Sequence, residues 1–315
     1  MDWTWKERFP QQREVEQYIN KMVDFLDLRK DIQFSTKVSA ARRDEEHNVW
    51  TVTTDCGKTF TCRYLVSAVG PLATPIDPPY RGLKSFKGEW YQTGLWPKEK
   101  VDFSNKRVAV VGTGATGVQI IPILAHSAKK VTAFQRTPNY VMPSRNHPLG
   151  EEHAAEIQRD HDLIMEKARK HVYGFDMVNS SLMFNDIKDN PNEVERVLSA
   201  GWEKGSFRYL FETFGDVLLS PECNDAASEF VRKKIRAVVN DQKTAEILCP
   251  RYPIGSKRPP VGHHYYEAFN RPNVELVDIK SDPISEITST GLNTGKQEFE
   301  FDIIVFAIGR APQFI

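Results

Sequence analysis

Residues 11–28, QQREVEQYINKMVDFLDL, repeat apolar side chains at helical spacing, with Val15, Tyr18, Ile19, Met22, Val23 and Leu26 on one stripe. This predicts an amphipathic helix packed against another layer. The period then shortens. The runs 32–38 (IQFSTKV), 48–54 (NVWTVTT) and 59–70 (TFTCRYLVSAVG) are rich in β-branched and aromatic residues, and an Asp55-Cys56-Gly57 turn joins the last two. They predict a small antiparallel meander. The proline-dense stretch 71–80, PLATPIDPPY, breaks regular structure and reads as a linker, so a boundary is expected near residue 80.

A different rhythm begins at residue 107. RVAVV (107–111) is a short, wholly apolar run, GTGATG follows, VQIIPILAHSA (118–128) has helical character, and KVTAFQR (130–136) is again strand-like. Strand, glycine turn, helix and strand in this order make a βαβ opening. From 151 to about 248 the pattern turns helical and charged, with candidates at 151–171, 192–202 and 225–239. Alternation returns with a helix at 264–270, a strand at 274–279, a glycine-rich hairpin at 290–296 and a strand-like run at 300–309, EFDIIVFAIG.

The glycine run carries the clearest chemistry. Gly112, Gly114 and Gly117 fall at GxGxxG spacing between a buried-type strand and a helix start, the context that lifts this motif above chance. Gly112 permits the tight turn, Gly114 lets the backbone N–H groups of the 112–117 segment (Gly112, Thr113, Gly114, Ala115, Thr116, Gly117) approach a pyrophosphate, and Gly117 permits close helix–strand contact. A ligand-free glycine turn is the competing reading. At the end of the following strand, where an NAD site places an acid on the ribose, stand Gln135, Arg136 and Thr137. Arg136 can pair with a 2′-phosphate and Thr137 can donate to it, which favours NADPH over NADH; a plain surface arginine is the alternative.

Composition narrows the partners. Forty-two Lys and Arg balance 42 Asp and Glu, so no bulk charge draws the chain to nucleic acid or an acidic membrane, and none is expected as a partner. No apolar run approaches the roughly 18 residues of a membrane span, and a cytoplasmic location is expected. Cys56, Cys62, Cys223 and Cys249 lack CxxC or zinc spacing and read as reduced thiols; no metal site is expected. His263 and His264 are neighbours, read as pointing apart and serving a turn or helix start.

Residues 86–97, FKGEWYQTGLWP, resemble the fingerprint F-x-G-x-x-x-H-x-x-x-W-P/D of type I Baeyer–Villiger monooxygenases, with Phe86, Gly88, Trp96 and Pro97 in place and Gln92 at the histidine position. The resemblance extends through DWTW near the start, FQRTPNYVMPSRN (134–146), YPIGSKR (252–258) and YYEAFNRPNVELVD (265–278), covering essentially the whole chain. Within that family it looks closest to fungal enzymes that tailor polyketides or terpenoids. The resemblance implies an enzyme that reduces FAD with NADPH and uses oxygen to convert a small-molecule ketone into an ester or lactone. It further implies that Arg258 is the arginine that stabilises the negatively charged oxygenated flavin, a task suited to a permanently charged, multidonor group. Lys257 matches a residue near the NADPH 2′-phosphate. Without the resemblance, both read equally well as surface cations. Gln92 keeps hydrogen bonds but cannot become cationic, so altered coupling is expected at this second candidate catalytic position.

The expected fold class is α/β: a Rossmann-like NADP-binding domain (81–150 and 251–298) with an inserted helical subdomain (151–250) and a remnant of a second, FAD-type dinucleotide domain (1–80 as helix plus meander, 299–315 as a strand re-entering it). The family binds FAD on an N-terminal GxGxxG within a βαβ unit of about 30 residues, and this chain has one such motif, at 112–117. The reading is of a chain truncated at both ends, in which FAD lacks its pyrophosphate loop. Strands 59–70 and 300–309 are expected to lose their sheet neighbours and to offer edges for self-association. A shortened coding sequence, a decayed enzyme and a shortened homologue with a new role stay open. So do three functions: the Baeyer–Villiger enzyme, an inactive or flavin-independent NADPH-binding remnant, and an N- or S-oxygenating flavin monooxygenase, with residues 86–97 favouring the first over the third.

Overall fold

A computed structural model describes residues 3–70 and 74–311. These divide into two compact units, 3–70 with 147–154 and 74–146 with 155–311. Residues 71–73 of the proline-dense stretch, Asp2 of the DWTW run and 312–315 lie outside the described residues.

In the first unit the helix α1, Gln12–Phe25, forms where the helical stripe predicts it, but buries none of its residues. Tyr18 packs edge-on to Trp3 at 5.5 Å and near Trp5 at 5.0 Å, whereas Ile19 and Phe25 remain more than half exposed. The meander comprises β1, Val38–Asp44, β2, Val49–Thr54, and β3, Thr59–Cys62, paired antiparallel in chain order. Two expectations shift here. The run 32–38 is irregular up to Val38, with Ser35 in the left-handed region, and the strand begins where the predicted one ends. Pairing decides this: the turn at 45–48 sets Asp44 against Val49 and Arg42 against Thr51, so the polar segment 39–44 forms the ladder with both faces exposed. The run 59–70 is a strand only to Cys62, and Tyr64 and Val66 beyond it are almost fully exposed.

The second unit is built on five parallel strands: β4, Glu89–Gln92, β5, Arg107–Val111, β6, Lys130–Gln135, β7, Val274–Asp278, and β11, Ile303–Phe306. Their order across the sheet is β7, β6, β5, β11, β4. Parallel strands covered on both faces read as continuous apolar runs, and Val108–Val111 and Ile303–Phe306 are buried throughout. Helix α2, Ala115–Ser127, packs over β5 and β6 and buries Val118, Ile121 and Leu124. Each such side chain stabilises the fold by roughly 1.5–3 kcal/mol on burial. A three-stranded antiparallel meander, β8, Ile284–Ile287, β9, Gly291–Thr294, and β10, Glu298–Glu300, precedes β11.

The position of β11 corrects an expectation. Rather than losing its neighbours, Ile303–Phe306 pairs with Val108–Val111 on one side and Glu89–Gln92 on the other. Four consecutive apolar residues are suited to the interior of a parallel sheet, and Arg107 anchors the pair by donating its backbone N–H to Asp302 Oδ2 at 2.7 Å and its guanidinium to Oδ1 at 3.0 Å. The charged stretch from 151 onward forms helices, including Glu151–Arg159, His161–Lys170, α3, Pro191–Lys204, α4, Pro221–Val238, and α5, Gln242–Leu248. Pro191 and Pro221 open theirs at the first turn, where a missing N–H costs nothing, behind the capping side chains of Asn190 and Ser220. No helix among the described residues is long and apolar enough to cross a membrane.

Candidate functional site

The carboxyl ends of the parallel strands bring the candidate residues to one edge of the second unit: Gly112 follows β5, Arg136 follows β6, and Gln92 ends β4. Ligands of open α/β sheets bind at this edge.

Two of the three motif glycines are required by the fold itself. Gly112 has φ +105°, and a Cβ on it would stand 2.5 Å from the carbonyl oxygen of Ala307, at the end of β11. A Cβ on Gly117 would stand 2.2 Å from the carbonyl oxygen of Gly112. Gly114 differs. A Cβ there would meet nothing within 4 Å, so no internal contact demands its glycine. Gly114 caps α2 without a side-chain bond, leaving the first-turn N–H groups of Ala115, Thr116 and Gly117 without intrahelical partners. A helix N-terminus open in this way fits a pyrophosphate.

Thr113 plays an internal part. Its side chain is buried, lies 3.5 Å from Gln135 Oε1 and 3.4 Å from the Thr137 carbonyl, and interacts with the Tyr265 hydroxyl. Burial pushes the Tyr265 hydroxyl well above its ordinary pKa. Gln135 in turn donates to the Ile247 carbonyl at 2.8 Å. The strand end is therefore locked, and Arg136, the next residue, projects as an exposed side chain. Its charge acts on the Tyr80 hydroxyl, whose pKa burial raises and Arg136 draws down.

Lys257 and Arg258 diverge. The Lys257 ammonium lies 4.9 Å from the ring centre of Tyr252, and the Tyr252 hydroxyl donates to Pro138 O and Asn139 Oδ1, each at 3.1 Å. Asn139 Nδ2 donates to the Thr113 carbonyl at 2.8 Å. Lys257 is thus tied through two side chains to the glycine turn. Arg258 instead lies over the ring of Phe207 at 5.9 Å, beside stacked Phe175 and, through it, Tyr173. Gln92 is 4% exposed and donates to the Ile76 carbonyl at 2.5 Å, so its amide holds the chain segment that leads into the unit. The sequence alone does not single out Asn139 and Tyr252, although both sit inside the runs 134–146 and 252–258.

The adjacent histidines do not point apart. His264 adopts the left-handed φ of +56°, which turns its ring onto that of His263 with centres 4.0 Å apart, and it stands immediately before the helix Tyr265–Ala268.

The flavin-binding monooxygenase-like family profile matches residues 1–185. The chain belongs to this family. As a member of the flavin-binding monooxygenase-like family it is 42% identical over 307 residues to a Baeyer–Villiger monooxygenase from Pseudooceanicola batsensis, an alignment covering 97% of this chain and 56% of that protein. It is 34% identical to the FAD-binding monooxygenase VdtE of Byssochlamys spectabilis, over 98% of this chain and 56% of that one. The crystal structure of OTEMO in complex with FAD and NADP superposes with a TM-score of 0.96 at 38% identity, covering 98% of this chain and 58% of OTEMO. The chain thus spans a little over half the length of these family members.

Proposed function

We propose that this chain carries the NADPH-binding part of a Baeyer–Villiger monooxygenase that oxygenates a ketone to an ester or lactone with O2. The observation that carries the reading is the open Gly114 corner at the N-terminus of α2, flanked by Arg136 where an NAD site would present an acid. The N–H groups of Ala115, Thr116 and Gly117 would bind the pyrophosphate; Arg136, Thr137 and Lys257 would bind the 2′-phosphate. Arg136 and Lys257 are cations on separate segments, and the glycine turn is bonded to both segments through Thr113 and Asn139.

The bound nicotinamide would supply a hydride. This chain's part is to orient the dinucleotide and to choose it by charge. Arg258, held against the ring of Phe207, would offer a guanidinium with several donors to developing negative charge. The likeness to OTEMO in complex with FAD and NADP, and to VdtE as an FAD-binding monooxygenase, supports FAD as the second cofactor. The described residues contain one glycine turn of the dinucleotide type, at 112–117, and it would hold the NADPH pyrophosphate. We propose a cytoplasmic ketone oxygenase of natural-product metabolism, and the likeness to VdtE, an FAD-binding monooxygenase, supports the oxygenase part of this reading.

The test is a pair of binding titrations, NADP+ and NAD+, on the chain and on Arg136→Ala. Selective loss of NADP+ affinity supports the reading; equal losses remove Arg136 from the 2′-phosphate site.

A further inference from the structure

We infer that Tyr252 is a positioning residue for a 2′-phosphorylated dinucleotide, its ring holding the Lys257 ammonium at the phosphate and its hydroxyl holding the glycine turn at the pyrophosphate. The inference rests on the NADPH reading above and deepens it, because it assigns the two halves of one side chain to two different parts of the ligand.

The ring half follows from geometry. Lys257 is exposed and on a flexible four-carbon stem, which by itself leaves its charge unlocated. An aromatic face 4.9 Å from the ammonium restricts it by cation–π attraction. The hydroxyl half reaches the opposite direction. Its single proton is shared between Pro138 O and Asn139 Oδ1, and because Asn139 spends its amide donor on the Thr113 carbonyl, the Tyr252 bond orients the carboxamide that holds the turn. Asn139 is further fixed by its own carbonyl, which accepts from Tyr266 at 3.1 Å.

Tyr252 is itself held from the helical part of the unit. Its carbonyl accepts from the Tyr140 hydroxyl at 2.9 Å, its ring meets that of Tyr140 edge-on at 5.4 Å, and Tyr140 accepts from Arg232, which Glu229 grips at 2.7 Å. Tyr140 is 1% exposed, so this support cannot swing with solvent. Burial pushes the Tyr252 hydroxyl up to about 12, which keeps it a donor at every working pH.

The two halves separate experimentally, because NAD+ and NADP+ share the pyrophosphate and differ in the 2′-phosphate. Both nucleotides are titrated calorimetrically into the full chain and into Tyr252→Phe, Tyr252→Leu and Lys257→Ala, with a thermal melt of each variant. Tyr252→Phe keeps the ring, and is expected to weaken both nucleotides alike, about three- to tenfold, with the NADP+/NAD+ ratio preserved. Tyr252→Leu is expected to show the same common loss plus a further loss of about three- to tenfold for NADP+ alone. Tyr252→Met, whose adaptable side chain refills the space, replaces Tyr252→Leu if that variant does not fold. If the ring-less variant leaves the ratio unchanged while Lys257→Ala lowers it, the inference is overturned and the NADPH reading stands. A ratio unmoved by Lys257→Ala removes Lys257 from the 2′-phosphate site, and an unaltered chain that binds neither nucleotide overturns the reading and the inference together.

Discussion

A Cβ at position 117 would lie 2.2 Å from the carbonyl oxygen of Gly112, whereas one at position 114 would touch nothing within 4 Å. The same motif therefore contains a glycine the fold needs and a glycine only a ligand needs. Gly117→Ala is expected to destabilise the chain by about 1–3 kcal/mol, the usual cost of overpacking. Gly114→Ala is expected to leave stability within about 0.5 kcal/mol while weakening dinucleotide binding at least about tenfold. Thermal melts and nucleotide titrations on both variants check this; a Gly114→Ala protein with normal affinity would mean that nothing approaches the turn at that corner.

The exposed Arg136 guanidinium gives a second expectation. A charge-assisted hydrogen bond is worth about 1.5–3 kcal/mol, so Arg136→Ala is expected to reduce NADP+ affinity by roughly 10- to 100-fold and NAD+ affinity little. Arg136→Lys should restore part of the loss, since a point charge remains without the planar fork.

Gln92 is expected to matter for stability. Replacing it with Leu removes the only side-chain donor seen at the Ile76 carbonyl among the described residues and should cost about 1–3 kcal/mol. Since an amide does not titrate, the contribution of Gln92 should be the same at pH 5 and pH 8, which denaturant unfolding of the parent and of Gln92→Leu would measure.

The Arg107–Asp302 pair predicts an acid-side loss. The Arg107 hydrogen bonds hold the Asp302 carboxyl below its ordinary value, so its stabilisation is present above the unfolded carboxylate pKa of about 3.9 and is lost as pH falls through the lower folded value. Asp302→Asn should therefore unfold more readily than the parent at pH 7, by on the order of 1 kcal/mol for a partly exposed pair, and the difference should close below about pH 4. A gap that persists undiminished in acid would remove the carboxylate from the account.

The features legible in the sequence were those with short-range signals. The apolar run 107–111 and the glycines that follow it announce a buried parallel strand and a helix start within a dozen residues, and the structure has both. The strand Val38–Asp44 is not legible, because it is exposed on both faces and so carries no alternation. Ile303–Phe306 reads as a strand from its own composition, but its neighbours cannot be read there, because they lie almost 200 or more residues away. The part played by Tyr252 and Asn139 is not legible for a related reason. Both lie inside runs that resemble the family, yet only the fold shows that one hydroxyl and one carboxamide join residues 113, 139 and 252.

The affinity of the unaltered chain for NADP+ and for NAD+, by calorimetric titration at one ionic strength, decides whether this chain holds a 2′-phosphorylated dinucleotide. One site should bind NADP+ at least about tenfold more tightly than NAD+, the worth of one good charge-assisted contact to the 2′-phosphate. Equal affinities, or a preference for NAD+, would contradict it.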